Sequence, residues 1–175
     1  PYDSADVWAN QELFLLDRDL RPEAVSGVPP DYFSAEGQLW GSPLYDWDKM
    51  KRDNFAWWKQ RMAAQTKWFD AVRIDHFRAL ASFWRVPANE TTAKNGEWVK
   101  GPGIEFIRAM REALPKTQFI AEDLGLLTDD VRELLAESEL PGMEVLEFAF
   151  TRGANSAYLP HNHKKNAVVY VGTHD

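Results

Sequence analysis

Four short apolar runs, each closing on a polar, charged or turn-forming stretch, constrain this chain more than any other feature. They are Ala71-Val72-Arg73-Ile74-Asp75, Gln118-Phe119-Ile120-Ala121-Glu122, Val145-Leu146-Glu147-Phe148-Ala149-Phe150 and Ala167-Val168-Val169-Tyr170-Val171-Gly172. Runs of this length and residue type predict strands. Between the first two, residues 104–114 carry a helical apolar period. Between the second and third, Thr128-Asp129-Asp130-Val131-Arg132-Glu133-Leu134-Leu135 predicts a second helix, with Thr128 placed to cap it.

Strand, helix, strand, helix, strand is the pattern of parallel βαβ units with right-handed crossovers. The expected fold is therefore α/β: part of a (β/α)8 TIM barrel with loop insertions on the C-terminal face. A complete barrel takes about 250 residues. The chain has 175, so residues 1–175 are expected to form a central portion of one catalytic barrel domain, incomplete at both ends.

The remainder predicts decoration of that frame. Asp3-Ser4-Ala5-Asp6 offers N-cap chemistry before a short helix. Residues 27–41 hold Gly, Pro and aromatics without either period and predict a long loop, a kind of segment that is usually functional. Residues 47–69 place Trp47, Met50, Trp58, Met62 and Phe69 at roughly helical spacing and predict one long amphipathic helix whose apolar stripe is core. A polar, Gly-punctuated loop is expected over 89–103. No internal repeat or low-complexity tract is visible.

Composition removes several functional classes. The 20 basic and 27 acidic residues leave a net charge of −7, a surface that repels phosphates, so no nucleic-acid partner is expected. With no Cys, disulfides, thiolate catalysis and zinc-thiolate sites are all excluded, and a cytoplasmic location is the default. No apolar stretch approaches the ~20 residues of a membrane span. Pro1-Tyr2-Asp3 resembles neither a natural start nor a signal peptide, which suggests a piece of a longer protein.

Three expected strand ends carry a carboxylate: Asp75, Glu122 and Asp175, the last following Thr173-His174. In a parallel barrel the C-terminal strand ends converge on the face that holds the active site. Paired carboxylates at one centre suit glycoside chemistry, in which one attacks the anomeric carbon while a protonated partner serves the leaving oxygen and later works as base. Arg73 lies two residues before Asp75, on the same strand face, where it can keep Asp75 ionised and oriented, favouring Asp75 as nucleophile. Glu122 has no basic neighbour in sequence, which fits the acid/base role.

These segments resemble a known family. Arg73-Ile74-Asp75-His76-Phe77-Arg78, Ala121-Glu122-Asp123-Leu124-Gly125 and Gly172-Thr173-His174-Asp175 are similar to the three catalytic segments of the amylomaltases, the 4-α-glucanotransferases of glycoside hydrolase family 77. Residues 27–34 and 37–45 resemble that family's substrate-covering loop, and Asp3-Ser4-Ala5-Asp6-Val7-Trp8 resembles a further segment. The resemblance implies transfer of α-1,4-glucan segments to the 4-hydroxyl of another sugar through a covalent intermediate. It implies Asp75 as nucleophile, Glu122 as acid/base and Asp175 as the third carboxylate, with Arg73, His76 and His174 as donors to the sugar. Asp31, Tyr32, Gln38 and Trp40 would belong to the loop and groove that hold glucan, and Phe148 would line the acceptor side. No metal or organic cofactor is implied; the partners would be α-1,4-glucans and maltooligosaccharides, in the cytoplasm or, in a plant, a plastid.

Two rival functions share parts of this pattern. An α-amylase-type hydrolase would use the same carboxylates with water as acceptor. A non-catalytic carbohydrate-binding module would explain the eight Trp without needing three strand-end acids. His161-Asn162-His163 fits a solvated loop better than a metal site, since no Cys or carboxylate lies near it in sequence. Gly101-Pro102-Gly103 lacks the further Gly and the Lys of a phosphate loop.

Overall fold

A computed structural model of the chain describes residues 1–32, 34–125, 127–151 and 156–173. In chain order its elements are helix α1 (Ala5–Ala9), strands β1 (Ala24–Val28) and β2 (Gln38–Pro43), helices α2 (Trp47–Arg52) and α3 (Ala56–Gln65), strands β3 (Ala71–Ile74), β4 (Ser82–Pro87) and β5 (Glu97–Lys100), helix α4 (Ile104–Ala113), strand β6 (Gln118–Ala121), helix α5 (Asp129–Ser138), and strands β7 (Gly142–Val145) and β8 (Ala167–Tyr170). The architecture is mixed α/β.

The parallel part follows the βαβ pattern. β3 pairs in parallel with β6, Ala71 opposite Gln118 and Ile74 opposite Ala121, with α4 on the crossover between them. β7 pairs in parallel with β8. A seam joins the two pairs: Ala121 donates its N–H to the carbonyl of Pro141 at 2.9 Å, and Met143 donates its N–H to the Asp123 carboxylate at 2.7 Å. Helix α4 faces the core with Phe106, Ile107 and Met110, each 2% exposed or less, because positions i, i+1 and i+4 share one face. Phe77, Phe119, Val131 and Leu134 join the same cluster.

Four sequence expectations change. Residues 47–69 form two helices, because Asn54 and Phe55 both adopt left-handed backbone, at φ 57° and 56°. The break turns the Phe55 side chain inward, 2% exposed and 5.4 Å from the Phe106 ring. Phe69, expected on the stripe, is exposed, whereas Met50 and Met62 are buried and Trp47 stacks on Trp58 at 6.2 Å. Residues 145–150 are not a strand: β7 ends at Val145 and a 3₁₀ turn spans Leu146–Thr151. An apolar run this short does not distinguish the two by period.

The other two concern the expected loops. Residues 27–41 are flanked and entered by β1 and β2, an antiparallel hairpin, and β5 lies within 89–103. With β4 they make a four-stranded antiparallel sheet in the order β2-β1-β4-β5. Gly27 belongs there because a Cβ at that position would lie 2.5 Å from the Gln38 carbonyl oxygen. One face of this sheet, through Ala24 and Phe83, packs with Leu44 and against Trp47 and Ala79, so the sheet is seated beside the end of β3. No described helix is long and apolar enough to cross a membrane.

Candidate active site

Asp75 and Glu122 each follow a registered pair, Ile74 and Ala121, on neighbouring parallel strands. The ladder continues past the strand ends: Glu122 donates its N–H to the Ile74 carbonyl at 3.0 Å, and Phe77 donates to the Glu122 carbonyl at 3.1 Å. Neighbouring strands lie about 4.8 Å apart. The two carboxylates therefore leave the backbone from adjacent strands at the same level.

The Glu122 carboxylate is fixed by main chain. Its Oε2 accepts the His76 N–H at 2.7 Å and its Oε1 accepts the Leu124 N–H at 2.8 Å. The residue after one acid therefore clamps the other. The Glu122 environment is therefore set by main-chain donors brought in by the fold, which its sequence neighbours do not reveal. Arg73 Nη2 lies 3.4 Å from Asp75 Oδ1, as their two-residue spacing allows. The Asp75 side chain is 65% exposed, open to a ligand.

His76 makes the turn. Its φ of 48° is left-handed, a conformation in which His is enriched among side-chain-bearing residues. The turn sends Phe77 into the core at 0% exposure and frees the His76 N–H for Glu122. Burial lowers the His76 imidazole from its ordinary range to about 4; the Arg78 charge adds to the shift and Asp75 opposes it. At neutral pH the ring is uncharged. Trp40 meets it edge-on at 4.7 Å, and the Trp40 indole N–H donates to Gln38 Oε1 at 3.1 Å. Gln38 and Trp40, in β2, are thus carried to the strand-end carboxylates by the antiparallel sheet.

The structure brings Asp75, Glu122, Arg73, His76, Gln38 and Trp40 together. Asp31 and Tyr32 stand between β1 and β2; the Asp31 carboxylate accepts the Ser34 N–H at 2.9 Å, and the Tyr32 side chain is exposed. Phe148 lies on the 3₁₀ turn after β7, with its ring 5.6 Å from Tyr158, which sequence reasoning did not single out. His174 and Asp175 lie outside the described residues. His163 Nε2 is 2.8 Å from the Tyr158 carbonyl oxygen, and His161 is exposed. Among the described residues no three His, Cys, Asp or Glu side chains gather as metal ligands.

Two residues inside the quoted motifs gain a place only in three dimensions. Asp123, 8% exposed, holds the β6–β7 seam through Met143, and a Cβ on Gly142 would lie 2.5 Å from its Oδ2. Arg78, 7% exposed, stacks its guanidinium 4.0 Å from the Trp98 ring centroid. Nothing near either in sequence marks the partner.

Comparison with known proteins places the whole chain in one family. The profile of the 4-alpha-glucanotransferase family matches residues 1–175. The chain is 55% identical over 174 residues to the chloroplastic/amyloplastic 4-alpha-glucanotransferase of Solanum tuberosum, covering 99% of this chain and 30% of that protein. It is 51% identical over 174 residues to the 4-alpha-glucanotransferase of Aquifex aeolicus, covering 36% of it. The amylomaltase of Streptococcus agalactiae, solved in complex with acarbose, superposes with a TM-score of 0.93 at 43% identity, over 99% of this chain and 35% of that one. The chain spans about a third of the length of the relatives it matches.

Proposed function

We propose that this chain, which belongs to the 4-alpha-glucanotransferase family, carries two of the reacting carboxylates of a protein that moves α-1,4-glucan segments between sugars. The observation that carries the reading is the emergence of Asp75 and Glu122 at one level from adjacent parallel strands, with the His76 N–H on the Glu122 carboxylate. In this reading β3, β6, β7 and β8 are successive staves of a (β/α)8 barrel, and the β2-β1-β4-β5 sheet is an insertion beside its C-terminal face.

Asp75, exposed and paired with Arg73, attacks the anomeric carbon while Glu122 protonates the departing glycosidic oxygen. The leaving glucan is then replaced by an acceptor, and Glu122 takes the proton from its 4-hydroxyl as the sugar leaves Asp75. His76, neutral at working pH, offers a polar ring edge to sugar hydroxyls, and Gln38 and Trp40 line the groove. Asp175 and His174 complete the set as third carboxylate and donor, Asp31 and Tyr32 reach over the glucan, and Phe148 lines the acceptor side. The substrates are α-1,4-glucans and maltooligosaccharides; the acarbose bound to the streptococcal relative supports an α-glucan ligand. No cofactor takes part, and the protein works in the cytoplasm or, if from a plant, in a plastid.

The test is turnover of maltotriose by the full-length protein, with products separated by chromatography. Sugars longer than the substrate, lost in Asp75→Asn and Glu122→Gln, are expected. Only shorter sugars would establish the hydrolase instead, and binding without turnover would leave a carbohydrate-binding module.

A further inference from the structure

Arg78 lies where four elements meet. It is buried in the 3₁₀ turn Phe77–Leu80, which starts directly after His76. Its guanidinium stacks 4.0 Å from the Trp98 ring centroid on β5, and its Nη2 donates to Ser82 Oγ, at the start of β4, at 3.3 Å. Ser82 in turn donates to Asp130 Oδ2 at 2.8 Å, in the first turn of α5. The Thr128 hydroxyl, donating to Asp130 Oδ1, holds that carboxyl below its usual range, as do Ser82 and the nearby Arg78 charge. The Thr128 hydroxyl is turned to this network, and the side-chain cap expected of Thr128 does not form.

We propose that Arg78 is a positioning residue for the transfer reaction: stacked on Trp98 and tied through Ser82 to Asp130, it sets the turn from which His76 faces the Asp75–Glu122 pair. The proposal rests on the reading of that pair as the reacting carboxylates. A 3₁₀ turn four residues long has few hydrogen bonds of its own to define its rotation. A planar guanidinium held on both an aromatic face and a hydroxyl defines it from outside. Rotating the turn would move the His76 ring away from Trp40 and its N–H away from Glu122 together.

The arrangement also sets charge. The groups facing His76 are Asp75 beside it, Glu122 from β6, Trp40 from β2 and Arg78 below, with Arg73 paired to Asp75. Arg78 opposes a proton on the imidazole, and Asp75 favours one. Removing the Arg78 charge leaves the acids unopposed on that side.

The experiment uses the full-length protein with Arg78→Gln, Arg78→Lys and Trp98→Leu, reading kcat and KM on maltotriose, the melting temperature, and the His76 titration by NMR. Arg78→Gln is expected to lower kcat by about ten- to a hundred-fold, the scale of a small misplacement of reacting groups, with KM little changed and the His76 midpoint rising from about 4 toward its ordinary value. Trp98→Leu and Arg78→Lys keep the charge, so kcat falls while the midpoint stays low; they carry the test if Arg78→Gln does not fold. Folded variants with kcat within twofold of the parent and an unmoved midpoint would overturn the proposal. If the parent itself makes only shorter sugars, the transfer reading fails, while the His76 midpoint still reports on Arg78.

Discussion

At the scale of single residues, the site is a set of mutual constraints around His76. The residue is held in a left-handed backbone, its N–H is committed to Glu122, its ring abuts Trp40, and burial with Arg78 keeps it uncharged. A histidine whose folded value is about 4 and whose unfolded value is about 6.5 binds more protons unfolded across that interval. Its contribution to stability is thus complete above about pH 6.5 and is lost as pH falls toward 4, amounting to at most about 3 kcal/mol. Melting temperatures of the parent and of His76→Gln across pH 7 to 4 should converge on acidification; parallel curves would contradict this. Asp75, Glu122 and Arg73 were legible in sequence because strand-end position and a two-residue spacing are local properties. The roles of Asp123 and Arg78 were not, because their partners Met143 and Trp98 each lie 20 residues away in the chain.

At the scale of elements, the seam between β6 and β7 adds one side chain to a single main-chain hydrogen bond. Asp123 reaches from the end of β6 to the Met143 N–H, and only hydrogen at Gly142 leaves it room. Gly142→Ala should push the carboxylate off that donor, costing about 1–3 kcal/mol for a buried N–H left unmet. Because Glu122 is the adjacent residue, turnover should fall as well. A variant that melts with the parent and keeps full activity would show that the seam tolerates the extra methyl. Helix α2–α3 carries a parallel lesson in legibility: Asn54 and Phe55 contain no Gly or Pro to announce a break, and the helical period of Trp47, Met50, Trp58 and Met62 runs through it. What breaks the helix is tertiary, the burial of Phe55 against Phe106. Likewise β4 and β5 drew no strand prediction because their apolar runs are short and interrupted by Arg85 and Glu97, whose pairing matters only across the sheet.

At the scale of the whole molecule, two groups of exposed apolar side chains sit beside parallel strands. Trp68 and Phe69 precede β3, and Val169 and Val171 lie on and after β8, at exposures of 82%, 59%, 54% and 82%. Exposed apolar side chains beside strands that pair on one side are sticky surfaces. The 175-residue chain produced by itself is expected to self-associate, with Trp68→Lys and Val171→Lys reducing the effect in sedimentation velocity; a monodisperse parent would refute this. The βα order and the parallel pairing were readable from three of the four apolar runs, the run at 145–150 following β7 instead of forming it, while the antiparallel sheet was hidden in stretches rich in Gly and Pro.

That sheet is also stitched from two distant stretches of chain. β1 lies directly against β4, yet β2, α2, α3 and β3 separate them in sequence. Deleting residues 24–43 would leave β4 paired only with β5, and deleting 82–100 would leave β1 paired only with β2. Neither half can be lost in a single deletion without opening an edge on the other. Relatives that lose one of these stretches are expected to have lost or remodelled the other, and a graft of this sheet must carry both segments at once.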